Sequence, residues 1–133
     1  MILRITYFTT TAAILSTIIL IVLTHIPENH ISYYVKSHDK QLHYTAYLMV
    51  SFLYGISFSQ RGWRGLLGLI LVTLAMCALG AVDEYSQQYF DRRTDIKDYY
   101  ADLWGIFTGV SIATSLWLVK TISNFRVKIN ISR

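Results

Sequence analysis

The chain has 133 residues and a formal net charge of +4, and 53% of its residues are hydrophobic. That apolar share is high for a soluble chain of one-domain length. A single cysteine, Cys77, excludes an intrachain disulfide, and the basic residues sit at the ends of apolar runs, as a membrane topology places them, which argues against nucleic acid as a partner.

A spanning helix needs about 20 mostly apolar residues. Four stretches qualify, at 5–26, 44–58, 65–82 and 103–119. With their flanks they predict helices over about 4–26, 39–59, 64–88 and 95–119, in one transmembrane domain covering 1–133. The expected fold class is therefore all-α, an integral membrane four-helix bundle. The first run, with Arg4 before an apolar core, is shaped like a signal peptide. It is long, however, and no small-x-small site follows it: Thr24-His25-Ile26-Pro27 comes next. It reads as an uncleaved helix stopped by Pro27.

The polar loop 28–38 carries Tyr33 and Tyr34, which suit the headgroup level. Ser37 is positioned to cap the second helix. Asp39, His43 and Tyr47 recur every four residues and share one stripe of that helix. A short basic turn with Trp63 leads into the third helix, which ends in Asp83, Glu84, Gln87 and Gln88. Glu84 with Gln87 and Gln88 places a carboxylate and an amide on one face. Asp91-Arg92-Arg93 forms the turn, and Thr94 or Asp95 caps the fourth helix. Along that helix Asp98, Asp102, Gly105 and Gly109 are spaced 4, 3 and 4 and share a face; Gly105-x-x-x-Gly109 allows another helix to approach it closely. The basic tail 120–133 is expected to fray.

Lysine and arginine counts set the expected orientation. With both termini cytoplasmic, inner segments hold Arg4, Arg61, Arg64, Lys120, Arg126, Lys128 and Arg133, seven in all; outer loops hold Lys36, Lys40, Arg92, Arg93 and Lys97, five. All eight acidic residues then fall on the outer side.

The pattern Asp39-Lys40-x-x-His43-x-x-x-Tyr47, followed by Gly80-x-x-x-Glu84-x-x-Gln87-x(5)-Arg93-x(4)-Asp98-x(6)-Gly105-x-x-x-Gly109, resembles the VanZ-like family of small bacterial membrane proteins. The resemblance covers the second helix through the fourth. It implies a multi-pass protein of the bacterial inner (cytoplasmic) membrane with a role in the cell envelope, since founding members are associated with resistance to the glycopeptide teicoplanin. It implies no reaction. Two positions depart from the family pattern. Asp91-Arg92 stands where a proline–glycine pair is usual, and Asp102 stands where an asparagine is usual, which adds a negative charge.

Residues at helix ends near a membrane surface are often simply solvated, with Arg93 tied to Asp98 and Asp39 capping a helix; such exposed pairs contribute about 0–1 kcal/mol. The sharper reading starts from the cost of carboxylates and imidazoles within a span. If the last three helices pack together, Asp39, His43, Tyr47, Glu84, Gln87, Arg93, Asp98 and Asp102 converge at the outer mouth. Arg93 is then placed to hold a phosphate or carboxylate bidentately, and His43 with Glu84 is a candidate acid–base pair. His43, Glu84, Asp98 and Asp102 suit a divalent cation, but no spacing such as H-E-x-x-H is present, and no metal or other cofactor is assigned. Cys77 and Ser86 lack the context of a nucleophile. Tyr85, Tyr89, Tyr99 and Tyr100 read as an interfacial belt. Beyond the lipid bilayer as partner, three functions stay open: binding an anionic lipid-linked or cell-wall-precursor headgroup, serving as an accessory subunit of a larger membrane complex, and acting as a small enzyme on a lipid-linked phosphate.

Overall fold

Within hydrocarbon, a backbone must satisfy its own N–H and C=O groups, so long apolar runs become helices. In the computed structural model these are α1 (Ile2–Thr24), α2 (Tyr33–Ser37), α3 (Asp39–Ser59), α4 (Gly62–Ser86) and α5 (Ile96–Ile131), with 3-10 turns at Glu28–His30 and Gln87–Phe90. The structure describes the backbone of residues 2–59 and 62–131 and the side chains of residues 6–27, 29–59 and 65–123. The side chains of Arg4, Arg61, Trp63, Arg64, Arg126, Lys128 and Arg133, used above for orientation and anchoring, lie outside these. The described residues contain no strand.

Three helical segments are long and apolar enough to cross a membrane, Thr6–Thr24, Gly65–Phe90 and Ile96–Ser123, which marks a membrane protein. The fourth long helix, α3, is not among them. It carries Asp39, Lys40, Gln41 and His43 in its first turns and Ser51, Ser57 and Ser59 further on. Its position explains how so polar a helix is accommodated: α3 packs against α1, α4 and α5. His43, Tyr47, Ser51, Ser57 and Ser59 are buried against protein, while Leu15, Ile18, Leu71, Leu74, Phe107 and Leu116 on the other helices are about half exposed or more. Among the described residues, ten polar or charged side chains are buried against eight apolar ones. That inverts the soluble pattern and suits a bundle whose outer surface meets lipid.

The closest approach lies between α3 and α5. A methyl group added at Gly105 would run into the Tyr44 carbonyl oxygen, and one at Gly109 into the Leu48 carbonyl oxygen, so the two backbones touch there. The buried stripe of α5 runs through Asp98, Asp102, Gly105, Ile106, Gly109 and Ala113, and Tyr47, Val50, Met76, Ile106 and Leu20 form the apolar centre beside it. Away from the polar end, the Thr10 and Ser57 hydroxyls bond to each other across α1 and α3.

Some ends differ from the expectation. α2 interrupts the loop before α3; Ser32 caps it, its hydroxyl accepting the Val35 N–H at 3.4 Å. Ser37 belongs to α2 and donates to the Tyr34 carbonyl at 2.8 Å, so it does not cap α3. α4 gives way to a 3-10 turn after Ser86. The tail does not begin to fray at Lys120: α5 continues to Ile131, because no glycine or proline interrupts it after Gly109.

Replacing Gly105 or Gly109 with alanine is expected to cost about 1–3 kcal/mol through overpacking. Gly80→Ala, where an added methyl meets nothing nearer than 3.4 Å, is expected to be milder. Thermal unfolding in detergent checks the ranking.

Candidate functional site

α1 and α4 end, and α3 and α5 begin, at the same end of the bundle, and the polar residues of all four meet there. Along α4 and into the 3-10 turn after it, the buried residues Met76, Gly80, Asp83 and Gln87 are spaced 4, 3 and 4, with Glu84 buried beside them. Asp83 joins three helices. Its Oδ1 accepts the Thr24 hydroxyl at 2.6 Å and lies 3.4 Å from His25 Nδ1, and its Oδ2 accepts the Tyr47 hydroxyl at 3.4 Å. His25 completes the α1 contact, with Nε2 2.8 Å from Ser86 Oγ and its ring edge-on to Phe90.

Glu84 serves the hairpin. Its Oε1 accepts the Asp95 backbone N–H at 2.6 Å, and its Oε2 accepts from Gln87 Nε2 at 3.5 Å. Asp95 caps α5, its Oδ1 accepting the Lys97 N–H at 2.9 Å. That N–H, and then the Lys40 ammonium, hold the Asp95 carboxyl below the usual carboxylate range. Asp91 at the turn is left-handed, with φ 54°. The chain reverses there, and Arg92 enters the bundle: it donates to the Thr24 carbonyl at 2.9 Å and to Asp39 Oδ1 at 3.2 Å.

On α3, Lys40 bridges Asp95 Oδ2 at 2.9 Å and Asp98 Oδ1 at 3.0 Å. One turn deeper, His43 Nδ1 donates to Asp102 Oδ1 at 2.9 Å. His43 is 4% exposed and Asp102 fully buried. The other ring nitrogen, Nε2, faces Asp39, whose Oδ1 is 4.0 Å away. The second oxygen of Asp102 has no hydrogen-bond partner among the described residues and lies beside Gly80. Above this layer opens a cleft of about 190 Å³, lined by Ile31, Lys36, Asp39, Lys40, Arg92, Arg93, Asp95 and Asp98.

Of the residues singled out in the sequence, Asp39, His43, Tyr47, Glu84, Gln87, Asp98 and Asp102 gather at this end. Arg93 is exposed, lines the cleft and makes no hydrogen bond or ion pair with the described residues. Three pairings differ from the expectation. Asp98 pairs with Lys40, not Arg93. The imidazole partner is Asp102, not Glu84, because Glu84 is taken by the Asp95 backbone. The potential cation ligands that converge are Asp39, His43 and Asp98, with ligand atoms all within 4.8 Å of one another, and not the set including Glu84 and Asp102.

Sequence reasoning passed over Asp83, Lys40, Arg92, Thr24 and His25. Asp83 had a signal in its 4-3-4 register with Met76, Gly80 and Gln87. Lys40, three residues before His43, shares its face. Arg92 had none, since the left-handed Asp91 decides which arginine turns inward. Tyr85, Tyr89 and Tyr100 are exposed around this end, as a rim would be. No family model, curated protein or solved structure matches the chain.

The His43–Asp102 pair yields an asymmetric prediction. His43→Leu strands a buried carboxylate and is expected to cost about 3–5 kcal/mol, whereas replacing both residues with leucine removes the stranded charge and recovers much of that loss. Unfolding of the single and double variants in detergent measures it.

Proposed function

We propose that this protein binds an anionic, phosphate-bearing headgroup, lipid-linked or from a cell-wall precursor, in the cleft at the polar end of the bundle. The observation that carries the reading is Arg93: an exposed guanidinium on the cleft wall that makes no hydrogen bond or ion pair with the described residues, beside Lys36, Lys40 and Arg92. A planar guanidinium with no partner is suited to grip a phosphate or carboxylate through two parallel bonds. Arg92 and Lys40 are already held by carboxylates. They shape the site, and Arg93 supplies the available donors.

In this reading α3 is a fourth span, shielded from lipid by its neighbours. Both termini are cytoplasmic and the cleft faces outward, in the inner membrane of a bacterium. The motif resemblance to the VanZ-like family supports an envelope role and links the site to glycopeptide susceptibility. Asp102, at the position where that family has asparagine, provides the charged acceptor for His43 and so keeps the imidazole in one tautomer. An enzymatic reading, hydrolysis of a lipid-linked phosphate, draws on the same pair: a buried His–Asp couple with Nε2 toward an anion cleft has the arrangement of a general base. Binding is preferred, because the ligand requires only Arg93 and the cleft.

The experiment is headgroup binding to sealed, right-side-out vesicles carrying the full chain, with a soluble short-chain polyprenyl diphosphate as probe. Wild type is expected to bind. Arg93→Ala and Arg93→Lys are both expected to lose about tenfold or more in affinity, lysine lacking the planar fork, while Lys97→Ala changes little. Equal binding by the Arg93 variants refutes the site, and binding seen only in inside-out vesicles refutes the orientation.

A further inference from the structure

At the cleft floor lies a constellation that the Arg93 contact does not use. His43 is 4% exposed and Asp98 5%. His43 Nε2 makes no hydrogen bond among the described residues and lies 4.0 Å from Asp39 Oδ1; Asp39, His43 and Asp98 offer ligand atoms within 4.8 Å of one another. Each carboxylate has one oxygen held from the outside: Arg92 takes Asp39 Oδ1 at 3.2 Å and Lys40 takes Asp98 Oδ1 at 3.0 Å. Among the described residues the second oxygen of each makes no hydrogen bond. Asp102 Oδ1 fixes His43 through Nδ1 at 2.9 Å. A carboxylate behind the imidazole, with the distal nitrogen bare, is the support that metal-ligating histidines have. The charge balance points the same way. Asp39, Asp83, Glu84, Asp98 and Asp102 crowd this end; among the described residues Lys40 pairs with Asp98 and Arg92 with Asp39.

We propose that Asp39, His43 Nε2 and Asp98 bind one divalent transition cation of the Zn²⁺ or Mn²⁺ class. This deepens the headgroup reading, because the cation sits under the same cleft, but its geometry stands without it. An imidazole nitrogen with two carboxylates favours such ions over Mg²⁺ and Ca²⁺, which take oxygen-only shells. Three protein ligands leave a coordination position open, and it faces the cleft, where a phosphate oxygen completes the shell. Ligand atoms around tetrahedral zinc stand about 3.4 Å apart, so binding draws the three together by about an ångström. The half-buried Asp39 is the member with room to move. Asp102 is a positioning residue that acts through His43.

The test is calorimetric titration of the full chain in detergent, stripped with chelator and free of any histidine tag, with ZnCl₂ as probe. Wild type is expected to bind one Zn²⁺. His43→Gln and Asp98→Asn are expected to lose at least tenfold in affinity, and Asp102→Asn, which weakens the support behind Nδ1, to lose about 10–100-fold. His38→Gln and Asp91→Asn, outside the constellation, are expected to bind as wild type does. Should His43→Gln or Asp98→Asn fail to fold by circular dichroism, Asp39→Asn, at a more exposed position, carries the comparison. Absence of wild-type binding, or equal binding by the ligand variants, overturns the cation site. The headgroup assay repeated in chelator separates the two ideas. Headgroup binding without any Zn²⁺ binding overturns the cation site and leaves the headgroup reading; one Zn²⁺ bound without headgroup binding supports the cation site and removes the headgroup reading.

Discussion

The hydrogen bond between His43 and Asp102 joins the two helices that lie closest together, and it forms only because α3 and α5 meet almost backbone to backbone at Gly105 and Gly109. A carboxylate with no exposed surface, in an apolar bundle, is tolerable only with a partner. The glycines bring the partner within reach. The second carboxylate oxygen lies beside Gly80 on α4. Two positions without side chains thus bring the buried charge to its partner, and the remaining polar residues arrange themselves around it.

Each further carboxylate is handled differently, and the differences divide structural from functional roles. Asp83 binds α1 to α3 and α4 through Thr24 and Tyr47, and Glu84 closes the hairpin onto the cap of α5. Both have their hydrogen bonds filled by protein and serve the fold. Among the described residues Asp39 and Asp98 are each hydrogen-bonded through one oxygen, beside a histidine whose outer nitrogen makes no hydrogen bond. A bundle needing only stability would have little reason to leave those groups incomplete next to an open cleft. Arg93, which pairs with none of the described residues, stands on the wall of that cleft: cationic donors above, carboxylates and an imidazole below.

Much of this was legible in the sequence, for reasons that can be named. The period of four in Asp39, His43 and Tyr47, and the 4-3-4 run of Asp98, Asp102, Gly105 and Gly109, each mark one helix face, and those faces are the ones that meet. The apolar runs of α1, α4 and α5 announced themselves because lipid-facing helices must be apolar. α3 showed a weaker run because it faces protein on several sides, so its polar residues are covered. Pairing was harder to read. Helical spacing says which residues share a face, not which of two adjacent carboxylates an imidazole meets, and so Glu84 was the expected partner where Asp102 is found. The choice between Arg92 and Arg93 depends on one left-handed residue, Asp91, at a position where aspartate gives only a weak hint of that conformation. The end of α5 was invisible because the basic tail has the composition of a frayed terminus yet contains nothing that stops a helix.

The central claim is that His43 is locked by Asp102 with Nδ1 protonated and Nε2 bare toward the cleft. Nitrogen-15 NMR of the imidazole in detergent-solubilised, metal-stripped protein reads this directly, since the two ring nitrogens of a fixed tautomer resonate far apart. The account predicts a single Nδ1–H tautomer for His43 at neutral pH that becomes mixed in Asp102→Leu. A wild-type ring that already exchanges between tautomers, or carries its proton on Nε2, would contradict it.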